Sequence, residues 1–152
     1  GLSVATGIAL GLKMDKIDAR VYCLMGDGEI EEGQIWEAAM AAGHYHLDNL
    51  CGIVDNNGLQ IDGAIDDIMS PNPIPEKWKA FGWNTTVING HRMEELLKAF
   101  DAAKEIRGKP TVIIARTIKG KGVSFMENVV EWHGKAPSKE EAKVALKDLE
   151  GS

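Results

Sequence analysis

The sequence is poor in cysteine, in basic clusters and in long apolar runs, and each shortage excludes a class of protein. Two cysteines in 152 residues do not make a disulfide scaffold or a CxxC metal site, which favours a reducing cytosol. A net charge of −6 without a block of Lys and Arg argues against a nucleic-acid or anionic-membrane surface. The apolar N-terminal stretch has no basic start and ends at Lys13, so it resembles neither a targeting segment nor a membrane span. We therefore expect a cytoplasmic protein.

Short apolar runs alternate with helical patterns along the chain. We predict strands over residues 20–26, 49–55, 84–90 and 109–118. We predict helices over residues 2–13, 31–42, 75–82, 92–106 and 138–150. The run "RVYCLMG" (20–26) is apolar almost throughout, which is typical of a strand buried on both faces. The alternation predicts one α/β domain, a doubly wound and mainly parallel sheet with helices on both faces.

Local signals refine three of these helices. Gly43 follows the second predicted helix and is a candidate C-cap. Ser138 and Glu141 form a capping box at the start of the last helix. The helix over 92–106 has an apolar face at helical spacing, formed by Met93, Leu96, Leu97, Phe100 and Ala103.

Polar residues flanked by glycine follow two successive predicted strands, in "GDGE" (26–29) and "DNNGL" (55–59). Both loops should lie at the carboxyl edge of the sheet, where open α/β folds bind ligands. Gly26 and Gly28 let the backbone approach a ligand closely, and the N-terminus of the following helix favours a phosphate. Asp27, Asn57 and a main-chain carbonyl would supply the hard oxygen ligands that Mg²⁺ prefers. A hairpin turn is the alternative interpretation of the second loop.

The two loops carry a resemblance to a known family. GDG followed at this distance by NN resembles the thiamine diphosphate motif. The longer stretches "GDGEIEEGQIWEAAMAAGHYHLDNLCGIVDNNGLQIDG" and "IKGKGVSFMENVVEWHGKAP" resemble transketolases. The similarity covers essentially the whole chain but corresponds only to the diphosphate-binding domain of that family. We interpret residues 1–152 as this domain, with the thiamine diphosphate-binding fold, incomplete at its N-terminus and similar to the N-terminal subunit of a split transketolase.

The resemblance implies a role for several residues by position. Gly28 matches a backbone donor to the diphosphate, Ile61 an apolar residue beside the thiazolium, and Lys119 a residue that reaches the diphosphate. The implied Mg²⁺ ligands are Asp27, Asn57 and, through its main-chain carbonyl, Leu59. The implied cofactor-binding residues are Gly26, Gly28, Glu29, Ile61, Lys119 and His133. The implied catalytic residues are His133, at the reacting centre, and Glu32, a buried acid that contacts the active site of a partner subunit.

Some of these residues also have a purely structural interpretation. Glu32 would then be a first-turn acid that the helix dipole favours. Lys119 would be a solvated lysine, and His133 a structural histidine in a loop rich in Gly and Pro. We interpret the remaining histidines as structural or surface residues, namely His44, His46 and His91.

The resemblance implies a transferase of the pentose phosphate pathway. It would move a two-carbon ketol unit from a ketose phosphate to an aldose phosphate, using thiamine diphosphate and Mg²⁺. A pyrimidine-binding domain or C-terminal subunit would complete the site, in a homodimer or heterotetramer, so we expect this chain to be inactive alone. Two alternatives stay open, another thiamine diphosphate enzyme such as a deoxyxylulose-phosphate synthase, or a non-catalytic fragment that only folds and dimerises. "EWHGKAP" and "IKGKG" favour transketolase.

Overall fold

The computed structural model describes residues 1–150, so Gly151 and Ser152 of the predicted domain lie outside the described part. Its strands are β1 (Val21–Gly26), β2 (Leu50–Asn56), β3 (Leu59–Gln60), β4 (Gly63–Ala64), β5 (Asn84–Asn89) and β6 (Thr111–Arg116). Four of them form a parallel sheet in the order β1-β2-β6-β5, and β3 and β4 form a small antiparallel hairpin. The prediction of a mainly parallel sheet is confirmed.

The helices are α1 (Leu2–Met14), α2 (Gly33–His44), α3 (Ile65–Met69), α4 (Ile74–Ala80), α5 (Met93–Glu105) and α6 (Lys139–Glu150). Short 3₁₀ turns span Glu29–Glu31 and Val130–His133. The capping box at α6 is confirmed, because the Ser138 N–H donates to Glu141 Oε2 at 2.7 Å and the Glu141 N–H donates to Ser138 Oγ at 3.2 Å. No helix among residues 1–150 has the length and apolar character needed to cross a membrane.

One face of the sheet is covered by α1, α2 and α4, whose apolar side chains form the larger core. Trp78 is fully buried there and packs edge-to-face on Trp83 with ring centroids 4.8 Å apart. The indole N–H of Trp83 donates to the Ala39 carbonyl at 2.8 Å. This bond connects α2 to the residue directly before β5. The prediction that Gly43 is a C-cap is wrong: α2 continues to His44, and Tyr45 takes the cap position.

The opposite face of the sheet is covered by α5, which confirms helices on both faces. The buried side of α5 is centred on Ala99 and Ala103, whose small side chains let the helix lie close to the strands. Met93 and Leu97 are exposed, so the predicted apolar face is only partly correct. The helix is rotated from the predicted orientation because small residues, and not the largest apolar ones, meet the sheet.

Strand β1 is not buried on both faces, contrary to the prediction. Tyr22 is 47% exposed and Leu24 is 71% exposed, whereas Cys23 and Met25 on the other face are buried. The reason is that β1 is an edge strand and α5 packs on the other strands of the sheet, β2, β6 and β5. From α5, the ring of Phe100 reaches β1, with its centroid 5.8 Å from that of Tyr22.

Both cysteines are free and buried on the sheet. Burial raises the pKa of the Cys51 thiol to about 11, because desolvation disfavours the thiolate. Burial also raises the pKa of Cys23. Both side chains therefore act as small apolar residues of the core.

Candidate functional site

The parallel register places the loops after β1 and β2 side by side. Gly26 at the end of β1 pairs with Asp55 in β2. One residue further, the N–H of Asp27 donates to the Asp55 carbonyl at 3.1 Å. The two polar loops identified in the sequence therefore meet at the carboxyl edge of the sheet.

Asp27 is the buried acid that joins these loops, and it is only 1% exposed. Its Oδ1 accepts the Gly28 N–H at 2.9 Å, and its Oδ2 accepts the side-chain amide of Asn56 at 3.0 Å and the Gly58 N–H at 2.6 Å. A carboxylate offers about four acceptor positions, so these three donors leave capacity for one cation. The Gly28 N–H, which the resemblance directs at a diphosphate, is engaged with Asp27 in this structure.

Asn57 and Leu59 lie in the connection between β2 and β3. The Oδ1 atom of Asn57 accepts the Leu59 N–H at 3.0 Å, which fixes the backbone of the connection. The alternative interpretation of this loop as a hairpin turn is wrong: β2 pairs with β1 and β6, and the only hairpin among the described residues joins β3 to β4 through Ile61 and Asp62. Gly58, which lies between Asn57 and Leu59, donates its N–H to Asp27, and all three of Asp27, Asn57 and Leu59 line one cavity.

All of the site residues implied by the resemblance line one cavity of about 480 Å³. The residues of this set are Gly26, Asp27, Gly28, Glu29, Glu32, Asn57, Leu59, Ile61, Lys119 and His133. Two further lining residues, Asp55 and Gln60, were not identified in the sequence. Asp55 ends a predicted strand and could have been inferred from its position at the carboxyl edge. Nothing in the sequence indicates that Gln60 lines the cavity.

Glu29 and Glu32, two of the three acids that follow the GDG turn, take different positions. The Glu29 carboxylate accepts the Gly26 N–H at 3.2 Å and so closes the turn on itself. Glu32 is the N-cap of α2 and is exposed at the rim of the cavity, where its carboxylate accepts the side-chain amide of Gln34 at 2.9 Å. The predicted helix start at residue 31 is wrong, since a 3₁₀ turn precedes Gly33, and Glu32 is not a first-turn acid of α2.

The segment from 117 to 133 brings Lys119 and His133 to the cavity from the far end of the chain. The indole N–H of Trp132 donates to the Phe125 carbonyl at 3.1 Å, and their rings meet edge-to-face. Ser124 donates through its N–H at 3.0 Å and its hydroxyl at 2.7 Å to Asp148 on α6. The segment is therefore folded on itself and fastened to the last helix.

Charged side chains within this segment also pair with each other. The Gly122 N–H donates to the Glu127 carboxylate at 2.9 Å, and Lys121 lies 3.2 Å from it. These two interactions, the Gly122 hydrogen bond first, hold the pKa of Glu127 below its usual value. Glu127 is thus paired with Lys121, whereas Lys119 lines the cavity.

The donor set fits a hard cation together with an anionic ligand. Residues 1–150 contain no cluster of three or more His, Cys, Asp or Glu side chains, so a metal ion would need the amide of Asn57 and the carbonyl of Leu59 beside the Asp27 carboxylate. Such an all-oxygen set suits Mg²⁺, which completes its shell with water and phosphate oxygens. Lys119 and His133 add positive or hydrogen-bonding groups to the same cavity.

The chain is similar to a known protein family and to several of its members. Residues 11–151 match the family model described as "Transketolase, thiamine diphosphate binding domain". The chain is 45% identical over 149 residues to one of the subunits of the apulose-4-phosphate transketolase of Phocaeicola vulgatus, covering 98% of this chain and 53% of that protein. It is 45% identical over 150 residues to the 6-deoxy-6-sulfo-D-fructose transketolase subunit SqwG of a Clostridium species, covering 99% of this chain and 54% of that protein.

A solved structure shows the same fold. The chain superposes on a transketolase from Campylobacter jejuni with a TM-score of 0.93 and 34% identity, covering 99% of this chain and 24% of that one. The chain thus spans about half the length of the two curated relatives and about a quarter of the crystallised enzyme.

Proposed function

Because this chain belongs to the transketolase family, we propose that its cavity binds the diphosphate of thiamine diphosphate through one Mg²⁺ ion. Asp27 and Asn57 would ligate the ion with their side chains, and Leu59 with its main-chain carbonyl. Asp27 suits this role because its burial and its three N–H donors fix the carboxylate before any ion arrives. The observation that carries the proposal is that these residues line one cavity with Lys119 and His133.

The other residues of the cavity would orient the cofactor and the reacting atoms. When bound, thiamine diphosphate supplies a carbanion equivalent at its thiazolium C2. Lys119 would neutralise diphosphate oxygens, and Ile61 would pack beside the thiazolium. Gly26, Gly28 and Glu29 shape the turn that meets the diphosphate. His133 would donate a hydrogen bond or a proton to a substrate oxygen, since imidazole can act as a general acid or base.

The complete activity would require a second chain or domain. We propose that a pyrimidine-binding domain or a C-terminal subunit completes the site, in a homodimer or a heterotetramer respectively, and that the assembly transfers a two-carbon ketol unit between sugar phosphates. Both curated relatives are named as single subunits of a transketolase, which supports this arrangement. Glu32 is exposed at the rim of the cavity, where a partner would reach it.

Reconstitution tests the proposal. The chain is mixed with a C-terminal subunit that carries the pyrimidine-binding domain, and ketol transfer and calorimetric binding of thiamine diphosphate are measured with and without Mg²⁺. We expect activity only in the mixture, and Asp27→Asn to weaken Mg²⁺-dependent binding by about 100-fold or more, because a fixed ligand is lost. Asp62→Asn in the exposed hairpin turn is the matched control and should bind normally. Equal affinity of the two variants would refute the metal assignment, and full turnover by the chain alone would refute the need for a partner.

A further inference from the structure

The imidazole of His91 accepts a hydrogen bond from the Ile118 N–H, with 2.7 Å between Nε2 and the amide nitrogen. Ile118 directly precedes Lys119, which lines the cofactor cavity. We infer that His91 is a positioning residue, which holds Lys119 at the diphosphate end of the cavity by fixing the peptide before it. This inference rests on the function proposed for the cavity, whereas the hydrogen bond can be tested without it.

The backbone around Lys119 is fixed at successive peptide groups. The Thr117 N–H donates to the Asn56 carbonyl at 3.1 Å, and the Lys119 carbonyl accepts the Asn128 N–H at 3.0 Å. Between these two backbone contacts, the N–H of Ile118 is bound by a side chain, that of His91. Loss of this acceptor would leave the peptide next to Lys119 without its partner in the protein.

The residues before His91 fix its backbone. The Asn89 side chain accepts the His91 N–H at 3.0 Å, and the Gly90 N–H donates to the Arg116 carbonyl at 2.8 Å. A Cβ at Gly90 would stand 2.5 Å from the Thr117 side-chain methyl, so only glycine lets this turn lie against the end of β6. Asn89, Gly90 and His91 thus form a unit that reaches from β5 across to the Lys119 segment.

The Nε2 atom of His91 serves the Ile118 N–H as an acceptor, so the bond requires a side chain with an acceptor at this position. The amide oxygen of glutamine can supply such an acceptor, whereas a phenylalanine ring cannot.

Amide exchange in the isolated chain tests the hydrogen bond. His91→Gln keeps an acceptor near the Nε2 position, whereas His91→Phe keeps a ring and removes the acceptor. We expect the Ile118 amide to exchange slowly in wild type and His91→Gln, and about 3- to 10-fold faster in His91→Phe. His44→Phe, at an exposed histidine on α2, is the control and should leave exchange unchanged. Unchanged exchange in His91→Phe would overturn the inference.

Cofactor binding by the reconstituted assembly tests the positioning role. Calorimetry with thiamine diphosphate and Mg²⁺ compares wild type with the two variants at one neutral pH. We expect His91→Gln to bind about as tightly as wild type, and His91→Phe to bind about 3- to 10-fold more weakly because it lacks the acceptor.

A double-mutant comparison shows whether His91 acts through Lys119. His91→Phe should have little further effect in a Lys119→Met background, because coupled residues are not additive. An equal loss in both backgrounds would overturn the positioning role. A wild-type assembly that binds no thiamine diphosphate would overturn both the proposed function and the positioning role. If the Ile118 amide still exchanges faster in His91→Phe, the hydrogen bond exists and the function proposed for the cavity is what is wrong.

Discussion

Gly28 and Gln60 are in contact at the cofactor cavity: a Cβ added to Gly28 would lie 2.6 Å from the Cβ of Gln60. The β3–β4 hairpin therefore packs directly on the GDG turn, with no space for a side chain between them. Since the hairpin begins at Leu59, this contact also fixes the carbonyl proposed to bind Mg²⁺.

Gly28→Ala should weaken binding of thiamine diphosphate and Mg²⁺ by the reconstituted assembly about tenfold or more, because the hairpin must move away from Asp27. Calorimetry gives the affinity, and circular dichroism of the chain should stay unchanged. Gly33→Ala is the matched control, since a Cβ there meets nothing within 4 Å. Normal affinity in Gly28→Ala would show that the contact does not matter for binding.

Asp48→Asn should lower the stability of the chain by about 1–2 kcal/mol at pH 7, or roughly 2–6 °C in Tm. The Asp48 carboxylate accepts the Gly108 N–H at 2.9 Å and lies 3.2 Å from the Lys13 ammonium, so it joins α1 to the segment before β6. Burial alone would raise the pKa of Asp48, but these contacts hold it below its usual value. Thermal unfolding measures the loss. Asp101→Asn, an exposed partner of Lys104, should have almost no effect.

The pH dependence of this loss follows from the direction of the shift. A carboxyl whose folded pKa is lowered contributes its full stabilisation above the unfolded value of about 3.9. That stabilisation disappears as pH falls through the folded pKa of Asp48. The Tm difference between wild type and Asp48→Asn should therefore be constant near neutrality and vanish in strong acid. A difference that grows in acid would contradict this account.

Asp148→Asn should loosen the segment that carries Lys119 and His133. Asp148 accepts two hydrogen bonds from Ser124, which hold its pKa below the usual value and keep it charged at neutral pH. We expect faster limited proteolysis between residues 117 and 133 and about 2- to 5-fold weaker cofactor binding, since one charge-assisted contact is weakened. Glu140→Gln on the exposed start of α6 is the control. Equal proteolysis rates would exclude an anchoring role for Asp148.

The position of the site could be predicted from sequence because it follows from strand direction. Asp27 and Asn57 each follow an apolar run, and parallel strands bring such residues to one edge whatever the strand order. Lys119 and His133 depended on the resemblance. Nothing in the local pattern of their segment indicates that it folds back to the cavity through Trp132 and Asp148.

Other features depend on contacts that the sequence does not encode locally. Tyr22 and Leu24 are exposed because β1 lies at an edge, and an apolar run does not distinguish an edge strand from a central one. Helix α2 begins later than predicted because an acidic 3₁₀ turn has the composition of a first helical turn. The sequence indicates only a structural or surface role for His91, since its partner Ile118 lies 27 positions away.

The burial of both cysteines makes the chain convenient for thiol labelling. Cys51 has a pKa of about 11 and Cys23 is also buried with a raised pKa, so maleimide reagents near neutral pH would find little thiolate on either. A single cysteine introduced at exposed Asp62 in the β3–β4 turn, or at exposed Glu140 at the start of α6, would then be the dominant reactive group. A fluorophore or spin label at these positions could report the approach of a partner chain and the motion of α6, to which the Lys119 segment is fastened.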